Sequence, residues 1–330
     1  TEEDFEDIRD ILEYYATGSN NLFADNVWDF LCSQDDLIQL QLHLKDFSHV
    51  ELPPALSWLR AWENLQREIR HRNRFLIAET GYLAQDEDGI ASPYVFVQFH
   101  LMTAFQRMDA VRVLDAGTKM YRARSTDESI SSLCFDAFTS VPDKYAKSPN
   151  RFSPAGISMF YGAESEELAK QEIKYDTRSD KFLYMSQFEL KKNVYILDLT
   201  KLTYTNDPEG AFDPDWLGEY YIREFIKSFS VDIARPCTQE DDKHMDYLTT
   251  QFICEYIKLL GHTLQTNPNP ILGIKYFSSH YTATPPCDCE PSGKCCYVLF
   301  CNHQESGNFL HLKCAKESRQ GALLRTISND

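Results

Sequence analysis

The stretch Asn150-Arg151-Phe152-Ser153-Pro154-Ala155-Gly156-Ile157-Ser158-Met159-Phe160-Tyr161-Gly162-Ala163 sets an arginine in a turn and follows it with a short apolar strand. Pro154 and Gly156 fix a loop rather than a helix. The run from Ile157 to Gly162 predicts a strand, and residues 165–175 predict a helix. At 100° per residue, Leu168, Ala169 and Ile173 form one apolar arc, and Glu172 projects between Leu168 and Ala169. Glu164, Glu166 and Glu167 fall outside that arc and read as solvated; Glu164 and Glu166 sit near the helix start, where negative charge is favourable. A carboxylate on the apolar side needs a partner or a task. On the helix alone, Glu172 is read most simply as the partner of a structural arginine.

Other motifs weigh against that simpler reading. Upstream, Tyr121-Arg122-Ala123-Arg124 lies in a predicted strand at 119–124. Residues two apart on a strand leave the same face, so Arg122 and Arg124 form a fork suited to a pyrophosphate, or else a solvated edge. Arg151 either reaches into a cleft or caps carbonyls of its own loop. Tyr161 either stacks on a ring of a ligand or fills the core. Downstream, Gly273-Ile274-Lys275-Tyr276-Phe277-Ser278-Ser279 predicts a strand that delivers two hydroxyls at its end.

The 330 residues suit two domains or one large one, and a content of 43% hydrophobic and 13% aromatic residues supplies ample core. There is no apolar run of the length that spans a membrane. The acidic start, Thr1-Glu2-Glu3-Asp4-Phe5, has no secretory pattern, so the expected location is the cytoplasm and no membrane partner is expected. A net charge of −17, from 33 basic and 50 acidic residues, repels nucleic acid in the absence of a basic run. A small anion held by a few focused arginines remains compatible with that charge. Ten cysteines without a secretory signal fit a reducing compartment. Cys287, Cys289, Cys295, Cys296 and Cys301 gather near the end with spacing unlike common zinc knuckles. They are read as a dispensable surface hairpin with reactive thiols, and no metal is expected.

The first 110 residues read as helical. Among them Pro53-Pro54 opens a helix predicted from about Ala55 to Ala78, with Leu56, Leu59, Trp62, Leu65 and Ile69 on one side. Arg67, Arg70, Arg72 and Arg74 surround His71 and offer either a solvated face or a docking surface. From residue 111 the pattern is mixed, with strands predicted at 119–124, 157–162, 182–189, 194–198, 273–278 and 296–301. Helices are predicted at 165–175, 215–229 and 245–260. The expected fold class is therefore α+β. No Gly-x-Gly-x-x-Gly or Walker loop occurs, which argues against a Rossmann or P-loop site.

Arg, Arg, Glu and Ser in this order, at Arg122, Arg151, Glu172 and Ser278, resemble the RES domain, which is named for those residue types. Ile196-Leu197-Asp198-Leu199 resembles its central strand, and Asp246-Tyr247-Leu248-Thr249-Thr250-Gln251 a helix start, with Thr249 and Phe277 where prolines are common. The resemblance implies an ADP-ribosyltransferase-like mixed α/β domain over residues 111–330 that consumes NAD as substrate and needs no cofactor. It implies a catalytic set of Glu172, Arg122, Arg151 and Ser278, with Arg124, Tyr161 and Ser279 binding substrate. The expected reaction is cleavage of the nicotinamide–ribose bond, by water or phosphate, in a bacterial toxin or defence effector. An ADP-ribosyltransferase acting on a macromolecule and a non-catalytic ADP-ribose- or NAD-binding module are the alternatives. Expected partners are an antitoxin or other regulatory protein and a second copy of the chain. Residues 1–110 resemble an HEPN-like helical domain. Nuclease members carry Arg, four to six residues, then His; here Arg67 and Arg70 lie four and one positions before His71, so nuclease activity is not carried over.

Overall fold

The computed structural model of the chain describes residues 54–72, 110–201, 243–260, 269–279 and 293–329, together with residues 74, 101, 105, 226, 229, 232, 233 and 235. Most of the HEPN-like resemblance, the predicted helix at 215–229 and the cysteines at 287 and 289 lie outside the described residues.

Helix α1 (Pro54–His71) is followed by β1 (Val111–Leu114), β2 (Lys119–Thr126), β3 (Phe160–Ala163), α2 (Glu166–Glu172), β4 (Phe182–Leu190) and β5 (Val194–Asp198). Then come α3 (Leu248–Leu260), β6 (Ile271–Phe277), β7 (Cys295–Leu299), β8 (Leu310–Arg319) and β9 (Ala322–Ser328). Among the described residues, nine strands make one sheet in the order β1-β5-β6-β7-β3-β2-β4-β8-β9. Every pairing is antiparallel except β5 with β6, so the fold is a mixed α/β sheet.

Both faces of the sheet are covered. One core joins Trp62, Leu65 and Ile69 of α1, Leu168 and Ala169 of α2, and Ile253 and Ile257 of α3 to Ala123, Met185, Ile274 and Val298. The other joins Phe138, Phe160, Tyr184, Phe188 and Leu310. The two-residue period of the strands divides the side chains between them. On β7, Cys296 and Val298 face the helices, while Tyr297 and Leu299 face the other way. All five residues of β7 are therefore buried, and Cys301 just after it is 2% exposed. This corrects the expectation of a surface hairpin with reactive thiols for Cys295, Cys296 and Cys301: they belong to a central strand flanked by β6 and β3 and to its exit. Among the described residues, no group of side chains is arranged to hold a metal.

Two helix ends differ from expectation for local reasons. Helix α1 stops at His71, not near Ala78, and Arg74 folds back to donate to the carbonyls of Ile69 and Arg70, capping the final turn. Helix α2 starts where Ser165, the N-cap, accepts from the Leu168 amide at 3.2 Å. It ends at Glu172 because Lys174 adopts a left-handed conformation (φ 49°) and Tyr175 N–H reaches the Lys170 carbonyl. No helix among the described residues is long and apolar enough to cross a membrane.

Candidate functional site

The sheet has one weak seam. Strand β2 pairs with β4 along its full length, yet it meets β3 only at Tyr121 and Ala163. The strands diverge from that point, and a cleft of about 390 Å³ occupies the gap. Sites for small molecules span roughly 300–1,000 Å³. Arg122, Tyr161 and Glu172 all line this cleft, with Ala169 and Ile173 of the α2 region, Tyr276 of β6 and Cys296 of β7 around them. A second cavity of about 600 Å³ shares Arg122, Ala123, Val141 and Tyr145 with the first, and extends past Arg124, Thr139 and Ser186.

Arg122 stands at the junction. Its guanidinium lies 5.5 Å from the centre of the Phe160 ring and makes a long contact of 3.5 Å to the Tyr161 carbonyl. Among the described residues no carboxylate pairs with it. Burial, and then neighbouring Arg124, depress its pKa to about 10. It is still charged at neutral pH, with no counter-charge among the described residues. Arg124, two residues on and on the same face, is exposed and donates to the Ala137 carbonyl at 3.2 Å.

Glu172 is the last residue of α2 and is exposed, so it reaches the cleft from a helix end rather than from a buried stripe. Ser278, 1% exposed just beyond β6, donates its hydroxyl to Glu172 Oε1. Cys296 Sγ lies 3.6 Å from the same oxygen, and its thiol is pushed far up by burial and then by that carboxylate. Two strand ends thus hold one oxygen of Glu172. Ser279 follows, half-buried.

Tyr161 presents its ring to the cleft while its hydroxyl is anchored behind, 3.0 Å from Ser153 Oγ and accepting from the Phe152 amide at 3.3 Å. Burial raises its pKa despite the Ser153 hydrogen bond. The 150–153 turn is in turn clamped by the first turn of α3. Gln251 donates to the carbonyls of Asn150 (2.8 Å) and Ser153 (3.2 Å), and Thr250 to that of Arg151.

The structure therefore brings Arg122, Tyr161, Glu172 and Ser278 together and sets Arg151 elsewhere. The Arg151 guanidinium points away from the cleft, donating to the carbonyls of Ile233 and Arg235 and lying 5.4 Å from the centre of the Tyr247 ring. Glu164, expected in solvent, is 18% exposed. It accepts from Lys275 (3.1 Å), the Tyr297 hydroxyl (3.1 Å) and the amides of Gly293 and Cys295. Sequence reasoning missed Asn150, Tyr276 and Cys296 as cleft residues, and Gln251 as the clamp. The Thr-Gln pair at the start of α3 was the available signal for the last.

A charged arginine, a carboxylate and aromatic walls thus meet where the sheet splits. Residues 119–313 match the RES domain, and the chain belongs to that family. Neither a curated protein nor a solved structure matches it.

Proposed function

We propose that the chain consumes NAD, breaking the bond between nicotinamide and ribose. The observation that carries this reading is the pairing, in one cleft, of Arg122, which has no counter-charge among the described residues, with a Glu172 carboxylate held at one oxygen by Ser278. A half-buried guanidinium without an anion favours a phosphate-bearing ligand. The bond to nicotinamide breaks through an oxocarbenium-like state, and a fixed carboxylate beside the ribose stabilises the positive charge that develops. Ser278 and Cys296 engage one oxygen of Glu172, and among the described residues the other is left to act. Two cavities that share Arg122 in their lining suit a two-part ligand, with the pyrophosphate beside Arg122, Tyr161 and Tyr276 against a ring, and Arg124 along the further chamber.

Membership of the RES family supports the NAD reading, an ADP-ribosyltransferase-like architecture for residues 111–330, and a role as a growth-arresting effector restrained by a partner protein. Residues 1–110 are proposed to regulate that domain. The test is incubation of the intact protein with NAD, with and without inorganic phosphate, followed by chromatography. Release of nicotinamide together with ADP-ribose marks a glycohydrolase; nicotinamide with a phosphorylated ADP-ribose marks a phosphorylase. Unchanged NAD under both conditions would overturn cleavage as the activity.

A further inference from the structure

Because Arg151 turns away from the cleft, it enters a second setting. A cavity of about 80 Å³ lies between α1 and the start of α3, and Arg70, Arg151 and Arg235 line it with Asp232, Asp246 and Thr249. In a chain of net charge −17, three guanidiniums around so small a space need a reason.

The carboxylates account for only part of it: Asp246 lines the same cavity, and Asp232 balances one of the three guanidiniums. Asp232 is already committed: it accepts from Trp62 Nε1 at 2.8 Å and Gln66 Nε2 at 3.0 Å, and pairs with Arg235 at 2.7 Å. Arg151 donates to backbone carbonyls, which carry no full charge. Among the described residues, buried Arg70 Nε has no hydrogen-bond partner, and neither has Thr249 Oγ1, on a side chain only 4% exposed. Buried polar groups are seldom left in that state. Both orphans can donate a hydrogen, both belong to residues lining the same cavity, and the charge around them is more positive than negative.

We propose that this cavity is a binding site for one tetrahedral oxyanion, of the size and charge of inorganic phosphate. The guanidiniums supply charge-assisted donors and the Thr249 hydroxyl a further one. The volume admits a single such ion and excludes a nucleotide. The site bridges α1 to the sheet domain, since Arg70 comes from α1 while Arg151 and Thr249 come from the sheet side. It also abuts the turn whose Ser153 and Phe152 hold Tyr161, so the bound ion braces one wall of the cleft. This inference does not depend on what the cleft binds or cleaves.

The test uses the intact chain without NAD. Thermal unfolding is followed against inorganic phosphate, with chloride at equal ionic strength as the reference. The expected result is a saturable rise in unfolding temperature with phosphate. Its midpoint should move at least ~10-fold higher in Arg70→Met, the scale of one charge-assisted hydrogen bond, and by a smaller factor in Thr249→Val. Arg122→Ala, in the cleft, should keep the wild-type midpoint. Thr249→Val changes little in volume, so it remains informative if Arg70→Met fails to fold. No saturable effect in the wild type would overturn the site and mean that water satisfies these donors. An effect lost in Arg122→Ala but kept in Thr249→Val would also overturn it, by placing the phosphate in the cleft.

Discussion

Glu172 and Glu317 are both glutamates held by a hydroxyl, yet they sit in opposite circumstances. Glu317 lies on β8, paired with Tyr184 of β4 on one side and Arg325 of β9 on the other, with a bulge in the β9 ladder just after it, and it is 1% exposed. It accepts from Tyr184 (2.7 Å), Ser129 (2.6 Å) and Arg325, so both oxygens are engaged. Glu172 lies at the seam where β2 and β3 part company, and Ser278 and Cys296 approach only one of its oxygens. Among the described residues, the glutamate on the strand paired on both sides has both oxygens engaged, while the one at the opening has a single oxygen engaged. The difference lies in the setting, not in the residue type.

Exchange of each carboxylate for an amide should break that comparison cleanly. Glu172→Gln should lose at least ~100-fold in NAD cleavage, the scale of one electrostatic catalytic group, while its denaturation midpoint stays near wild type. A folded Glu172→Gln protein that cleaves NAD at the wild-type rate removes Glu172 from the mechanism. Glu317→Gln should show the reverse, with wild-type turnover in the folded protein and a loss of roughly 1.5–3 kcal/mol in urea denaturation, the worth of hydrogen bonds to a charged group.

Acid should erase the second effect in a defined window. Arg325 first, then Ser129 and Tyr184, hold Glu317 down from 4.5 to about 2. A carboxylate with a depressed pKa contributes stability that is whole above its unfolded value and is lost as pH falls through its folded one. The gap in stability between wild type and Glu317→Gln should therefore be constant above about pH 4.5 and shrink toward pH 2. A gap that widened on acidification would show that the carboxylate is not the stabilising form.

Within the cleft, the two arginines of β2 sharpen the contrast further. Arg122→Ala should weaken NAD binding by about 1.5–3 kcal/mol in calorimetric titration, and Arg124→Ala by less, because Arg124 is exposed and committed to the Ala137 carbonyl. Equal losses would indicate that both reach the ligand. The smallest effect concerns thiols. Burial raises the pKa of Cys295 to about 12 and of Cys301 to about 11. Both should resist alkylation at neutral pH in the native protein, whereas exposed Cys134 should react. Mass mapping of the labelled peptides decides it.

Much of the sheet was legible because its strands obey a simple period. The predicted strands at 119–124, 182–189 and 194–198 lie over β2, β4 and β5, and the apolar stripe through Leu248, Phe252 and Tyr256 marks α3. Strands β1, β8 and β9 were missed. Strand β1 has four residues, and β9 is exposed along most of its length, so neither carries a strong apolar signal. Strand β8 buries Glu317, which only its partners from distant sequence make tolerable. The same limit governed the site. Spacing set Arg122 and Arg124 on one face, and the resemblance to the RES domain set Glu172 and Ser278 in one site. The direction of Arg151 depends on carbonyls more than 80 residues away, and the shielding of Glu164 on Lys275 and Tyr297. Contacts of that kind leave no local trace.

The parting of β2 and β3 also bears on how the protein is made. The walls of the cleft come from residues as far apart as Tyr121 and Cys296, and Ser278 meets Glu172 across 106 positions of sequence. Contacts this distant close slowly, because the intervening chain must be ordered before they form. During synthesis β2, β3 and α2 emerge long before β6 and β7, and until those two strands dock Glu172 has neither Ser278 nor Cys296 beside it. The cleft is thus incomplete until β6 and β7 have joined the middle of the sheet.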